Sequence, residues 1–186
     1  APNLHPAMKY AAPVRKQLGI RTIFNLLGPL TNPAGAKRQV LGTSKPEWTV
    51  KLAHVLAARN ETLAWVVHGH DGLCDLTITG PTRVTEVNQG QIRTFEVHPH
   101  DVGFETAPLE TLLVDSPQAS AAAIRDILNG KDQGPRRHHA ILNAAAAILV
   151  AGLADDLTTA VARASNAIDT GNASTVLETL AKTSQA

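Results

Sequence analysis

The sequence has one cysteine, Cys74, in 186 residues. That excludes an intrachain disulfide and points to a reducing compartment. Aromatics make up only 3%, too few for the stacking platforms that hold single-stranded nucleic acid. An excess of one charge is missing as well: 17 Lys+Arg stand against 16 Asp+Glu. No basic field therefore favours nucleic acid or a membrane surface. The longest apolar run, Ala140 to Ala151, is interrupted by Asn143 and is too short for a bilayer. No signal-peptide pattern is visible, so the cytoplasm is the expected location. There is no G-x-G-x-x-G, Walker loop, G-x-S-x-G or Cys-x-x-Cys. This counts against a nucleotide-fold oxidoreductase, an NTPase, an esterase and a thiol-redox protein.

What is present fits a globular chain. Hydrophobic residues make up 44%, and alanine, leucine and valine must do most of the packing. The length suffices for one domain with a real core, or for a large part of a bigger one. The first residue is Ala1 rather than methionine, so the chain is expected to be processed or to be a piece of something longer.

Residues 1–33 read as helices broken by proline. His5-Pro6 can open a helix, Pro13 kinks it or starts a second, and Gly19 stops it. "KRQVLGTS" (37–44) reads as a short strand. "EWTVKLAHVLAARN" places Trp48, Leu52, Val55 and Leu56 on one helical face. "TLAWVVHG" (62–69) is a continuous apolar run, expected as a strand buried on both faces. Strand, helix, strand is the unit of a parallel sheet. Residues 82–97 read as a hairpin around Gln89-Gly90. The remainder is helical: Ser116 is a cap candidate, Gly130, Gly152 and Gly171 are stops, and a last helix starts near Ser174.

Three stretches could carry chemistry. In "RTIFNLLGPLTNP" (21–33) an apolar run meets Gly28-Pro29 and then Asn32-Pro33. Either this is a loop that holds a small anion, with Arg15 as a carboxylate fork and Gly28 admitting a flat ligand, or it is helix-end punctuation. In "VVHGHDGLCDLTITGPT" (66–82), at the carboxyl end of a strand, Asp71 and Asp75 could hold Mg²⁺ on substrate phosphates. Cys74 is a poor ligand for so hard an ion, and His68, His70 and Asp71 lack a further zinc ligand. The alternative is an ordinary solvated turn. In "GPRRHHAILNAAAAILVAG", Arg136 and Arg137 either approach a phosphate at a helix amino terminus or are merely solvated. Asn143 is given a structural role.

Taken together, "HPAMKYAAPVRKQLGIRTIFNLLGPLTNPA", "VVHGHDGL", "GPRRHHAILNAAAA" and "AIDTGNA" resemble, in order and over nearly the whole chain, the anthranilate phosphoribosyltransferase family of tryptophan biosynthesis. The resemblance implies an α/β chain with a mainly parallel sheet, flanking helices and a hairpin. It would be part of a nucleoside phosphorylase/phosphoribosyltransferase-like fold with a small helical domain. Residues 1–33 would be the remainder of that small domain and its hinge, and 34–186 the carboxyl-terminal part of the α/β domain.

It further implies transfer of the phosphoribosyl group of phosphoribosyl pyrophosphate (PRPP) to the amine of anthranilate, with Mg²⁺ required. Arg15 would bind the anthranilate carboxylate, with His5, Gly28 and Pro29 lining the same pocket. A homodimer is possible by the same resemblance. The family's acidic pair after Gly-Leu falls here on Cys74 and Asp75, which puts one metal site in question. Its glycine-rich PRPP loop belongs upstream of His5. The chain is therefore expected to be the carboxyl-terminal portion, inactive alone, with an exposed strand edge. Competing expectations are a pyrimidine nucleoside phosphorylase-like enzyme and a non-catalytic binding relative.

Overall fold

The computed structural model describes residues 8–20, 24–32 and 34–184. The chain divides into two units, Ala1–Lys37 and Arg38–Ala186.

In the first unit, helix α1 spans Met8–Leu18 and runs through Pro13 as one element. The proline forgoes one backbone hydrogen bond, to the carbonyl four residues back, without ending the helix. Gly19, at φ +62°, then turns the chain, as its missing Cβ permits. Helix α2 spans Phe24–Leu30. Of the two readings of Gly28-Pro29, the loop is thus corrected and the helix end upheld: both residues lie in the last turn of α2. Proline's fixed φ is already helical, and the Thr31 hydroxyl donates to the Leu27 carbonyl at 2.9 Å, satisfying one of the oxygens a helix end leaves open. A turn follows in which Ala34 N–H donates to Asn32 Oδ1 at 3.0 Å. The proposed helix start at His5-Pro6 lies outside the described residues.

The second unit is α/β. Strands β1 (Arg38–Gly42), β2 (Leu63–Gly69), β3 (Thr82–Asn88) and β4 (Gln91–Val97) form one sheet in sequence order, with helix α3 (Glu47–Ala58) between β1 and β2. β1 and β2 are parallel, while β2–β3 and β3–β4 are antiparallel. Over the described residues the sheet is therefore mixed, the expected parallel unit being β1–α3–β2 and the hairpin its antiparallel extension. Gln89 and Gly90 both take positive φ, the geometry that matches a two-residue turn to strand twist.

β2 is buried on both faces, as its apolar run requires. Trp65 and Val67 join Val84, Val97 and the helical residues Leu142, Ala146 and Val150 in one core. The alternate residues Ala64, Val66 and Val87 are also fully buried, and α3 packs against β2 and β3. The buried Glu86 carboxylate is satisfied across the sheet. Trp65 Nε1–H donates to one oxygen at 2.8 Å and Arg93 Nε–H to the other at 2.6 Å.

Helices α4 (Pro117–Leu128), α5 (Pro135–Val150), α6 (Leu157–Asp169) and α7 (Asn172–Ser184) complete the unit. Ser116 caps α4 through Ala119 N–H at 3.1 Å. α5 is the central helix. One side enters the sheet core, while Ile141 and Ala145 pack with Ala160, Val161, Ala164 and Ile168 of α6.

Candidate functional site

The turn after β2 lies at the carboxyl end of a parallel strand, where α/β sheets hold ligands. Its backbone closes on itself: Gly72 N–H donates to Gly69 O and Gly69 N–H to Leu73 O, both at 2.9 Å. Asp71 folds back into this ring. One carboxylate oxygen accepts from Leu73 N–H at 3.0 Å; the other accepts from the hydroxyls of Thr77 at 2.6 Å and Thr79 at 2.7 Å. Burial pushes this carboxyl up, but the Thr77, Leu73 and Thr79 hydrogen bonds outweigh it and hold it below the ordinary value. Gly69 makes the fold-back possible, since a Cβ there would sit 2.4 Å from the Asp71 carboxylate.

After the exposed pair Cys74 and Asp75 the chain dives inward, with Leu76, Thr77 and Ile78 all buried. Asn143 of α5 fixes the point of entry. It accepts from Leu76 N–H at 3.0 Å and donates to Leu76 O at 2.8 Å. This confirms its structural role. One turn earlier on α5, His139 is held below its ordinary pKa by burial, opposed by the negative charges of Asp75 and Asp71.

The zinc-like trio does not assemble. His68 is buried and its Nδ1–H donates to Thr43 O at 2.8 Å, while His70 pairs with Glu96 at 2.9 Å. Asp71 is likewise committed to the turn, with three of its about four acceptor sites in use. The α5 arginines have protein partners of their own. Arg136 donates to Leu113 O at 3.0 Å, and Arg137, only 5% exposed, pairs with Asp169 at 2.8 Å and Ser165 at 3.0 Å.

In the first unit, Arg15 lies on α1, and Gly28 and Pro29 are exposed in α2. A Cβ at Gly28 would meet no atom within 4 Å, so the space beside it is open. His5 and the Arg15 side chain lie outside the described residues. The sequence reading missed the bonding of Asp71. Its only signal was the pair of threonines, Thr77 and Thr79, two apart beyond the turn.

Residues 1–174 match the model of the glycosyl transferase family, a/b domain. The chain belongs to that family. Within the glycosyl transferase family, the anthranilate phosphoribosyltransferase of Hyphomonas neptunium is 48% identical over 185 residues, covering 100% of this chain and 54% of the relative. That of Rhodospirillum rubrum is 50% identical over 173 residues, covering 93% and 50%. Among solved structures, the Thermus thermophilus anthranilate phosphoribosyltransferase superposes with a TM-score of 0.84 at 42% identity, covering 94% of this chain and 51% of that one. The Saccharomyces cerevisiae enzyme in complex with PRPP and Mg superposes at 0.87 with 28% identity, covering 96% and 51%. The chain spans about half the length of the relatives it matches.

A magnesium ion takes one or two carboxylates and fills its remaining positions with water and phosphate oxygens. The exposed Asp75 fits that demand for one ion. Cys74 adds only a soft thiol, and among the described residues no group of three His, Cys, Asp or Glu side chains could hold a metal. The donor set fits a phosphate-borne ion and not an all-protein cage.

Proposed function

We propose that the chain is the carboxyl-terminal portion of an anthranilate phosphoribosyltransferase of tryptophan biosynthesis. It would transfer the phosphoribosyl group of PRPP to the amine of anthranilate, giving N-(5-phosphoribosyl)anthranilate and pyrophosphate. The observation that carries this reading is 48% identity sustained along the whole chain to a protein of that name. The fold likeness to the yeast enzyme in complex with PRPP and Mg supports it.

Residues 1–33 belong to the small helical domain and hinge, and 34–186 to the α/β domain. The nearby division of the chain at residues 37 and 38 supports that boundary. Arg15 binds the anthranilate carboxylate in a bidentate pair, and His5, Gly28 and Pro29 line the pocket that orients the ring. Anthranilate's amine is a neutral nucleophile, and PRPP brings its own leaving group. Orientation and charge stabilisation then supply most of the rate, without a strong general base. Asp75 faces the metal, and Mg²⁺ when bound neutralises charge growing on the departing pyrophosphate. The protein works in the cytoplasm and, as the resemblance implies, as a homodimer.

The chain alone supplies about half of the relatives' length, and we expect it to be silent by itself. Anthranilate fluorescence with PRPP and Mg²⁺ tests this, with and without the amino-terminal half of the Hyphomonas neptunium relative. Decay only when the half is added is the expected result. Robust turnover by the chain alone refutes the dependence on a second segment. A folded but silent complex favours the non-catalytic reading, with Cys74 in place of a carboxylate as its cause. Restoration by Cys74→Asp would then return the chain to the enzymes.

A further inference from the structure

Cys74 and Asp75 are the exposed pair between two clamps. On one side, Leu73 is held twice, by its N–H to Asp71 and by its carbonyl to Gly69 N–H. On the other, Asn143 grips both backbone groups of Leu76. The second clamp is rooted in α5. The first is rooted in Asp71, whose remaining bonds go to the buried Thr77 and the half-buried Thr79 beyond. A carboxylate offers about four acceptor sites, and three are in use here. Thr77 is itself anchored, since its backbone N–H donates to the Thr82 hydroxyl at 2.9 Å at the start of β3.

We propose that Asp71 is a positioning residue for the metal-facing edge of this turn: through Leu73, Thr77 and Thr79 it sets the direction of Asp75 and gives no oxygen to the metal. This deepens the phosphoribosyltransferase reading and rests on it. Outer partners of metal-facing groups typically change metal affinity by about 10- to 100-fold when removed. Asparagine at position 71 can still accept from Leu73 N–H, but it offers the Thr77 and Thr79 hydroxyls an amide donor in place of a charged acceptor, so both threonines must turn their protons away and the charge-assisted bonds are lost.

The test uses the 186-residue chain labelled with ¹⁵N, with Mn²⁺ and inorganic pyrophosphate as probes. Reaction of the single thiol, Cys74, with an aromatic disulfide reports the shape of the turn independently. In the unmodified chain, Mn²⁺ with pyrophosphate should broaden the amide signals of residues 73–76, and Asp75→Asn should abolish the effect. Asp71→Asn and Thr77→Val should each weaken Mn²⁺ binding about tenfold and change the thiol rate several-fold. Thr77→Ser, which keeps the hydroxyl, should do neither. Thr77→Val also covers the case in which Asp71→Asn does not fold.

The proposal is overturned if Asp71→Asn and Thr77→Val leave both readouts unchanged. It is also overturned if Asp71→Asn removes binding as fully as Asp75→Asn while the thiol rate stays put, for then Asp71 is itself a ligand. Absence of broadening in the unmodified chain overturns the metal reading, and the positioning role with it.

Discussion

Gly42 shows how closely the candidate site is built. It ends β1, and a Cβ there would lie 1.7 Å from the Cys74 carbonyl oxygen and 2.7 Å from its carbon. The end of the strand and the turn thus meet backbone to backbone, and neither can give way as a flexible side chain would. Gly42→Ala should lower stability by about 1–3 kcal/mol, the usual cost of overfilling a packed place, read as a shifted urea midpoint. It should also alter the reaction rate of Cys74; an unchanged rate would mean that the contact does not set the turn. At this scale the sequence was readable wherever a residue's type dictates its use. Asn143 on an alanine-rich helix reads as a structural residue, and it is a hydrogen-bonding post. Asp71 and Arg137 were not readable, because their partners Thr77, Thr79 and Asp169 become neighbours only through the turn and the helix packing.

Among the elements, α5 touches nearly everything: the sheet, α6 and the candidate turn. It carries two histidines held below the ordinary value of 6.5. For His138, stacked on Phe104 with ring centres 4.5 Å apart, burial is the main cause, with Arg137 adding to it and Asp132 opposing. For His139, burial outweighs Asp75 and Asp71. Because the folded values are depressed, the unfolded chain binds more protons between the two values, so stability rises with pH there. It should be complete above about pH 6.5 and decline as pH falls from there through the folded values. Asp71 and Asp156 are also depressed, but from 3.8, so their losses fall in a separate, more acid window. The urea midpoint should therefore drop between about pH 7 and 5, and the pair His138→Gln, His139→Gln should flatten that slope. A slope that persists unchanged in the double variant would assign it elsewhere. The helix itself was legible from its Gly134-Pro135 start and Gly152 stop, as were α3 from its helical spacing, β2 from its continuous apolar run and the hairpin from its Gln89-Gly90 turn. At Gly28-Pro29 the sequence left a loop and a helix end both open, because glycine and proline are read as breakers while a short helix's last turn tolerates both.

Over the whole molecule the two units differ in how much of their apolar surface is covered. In the second, α5 joins two buried clusters. In the first, Tyr10, Val14 and Leu18 fall at i, i+4 and i+8 on α1 and are 72%, 53% and 54% exposed, and Ile20 is 67% exposed. One helical face is thus left bare, and Leu30 is the buried apolar side chain of the unit among its described residues. So short a segment cannot offset the entropy of its own ordering by burial, and it should open far more often than the α/β unit. Brief trypsin treatment should therefore cut first at Lys9, Arg15, Lys16, Arg21 or Lys37 and leave a resistant piece beginning near Arg38. Lys182, close to the end of α7, is the other early site, because that helix has no buried residue among those described. Adding the amino-terminal half of the Hyphomonas neptunium relative should slow cleavage at Lys9, Arg15 and Lys16 if that half covers the α1 stripe. First cuts within residues 47–169, at Lys51, Arg125 or Arg163, would show the α/β unit to be the weaker one and reverse the assignment of stability.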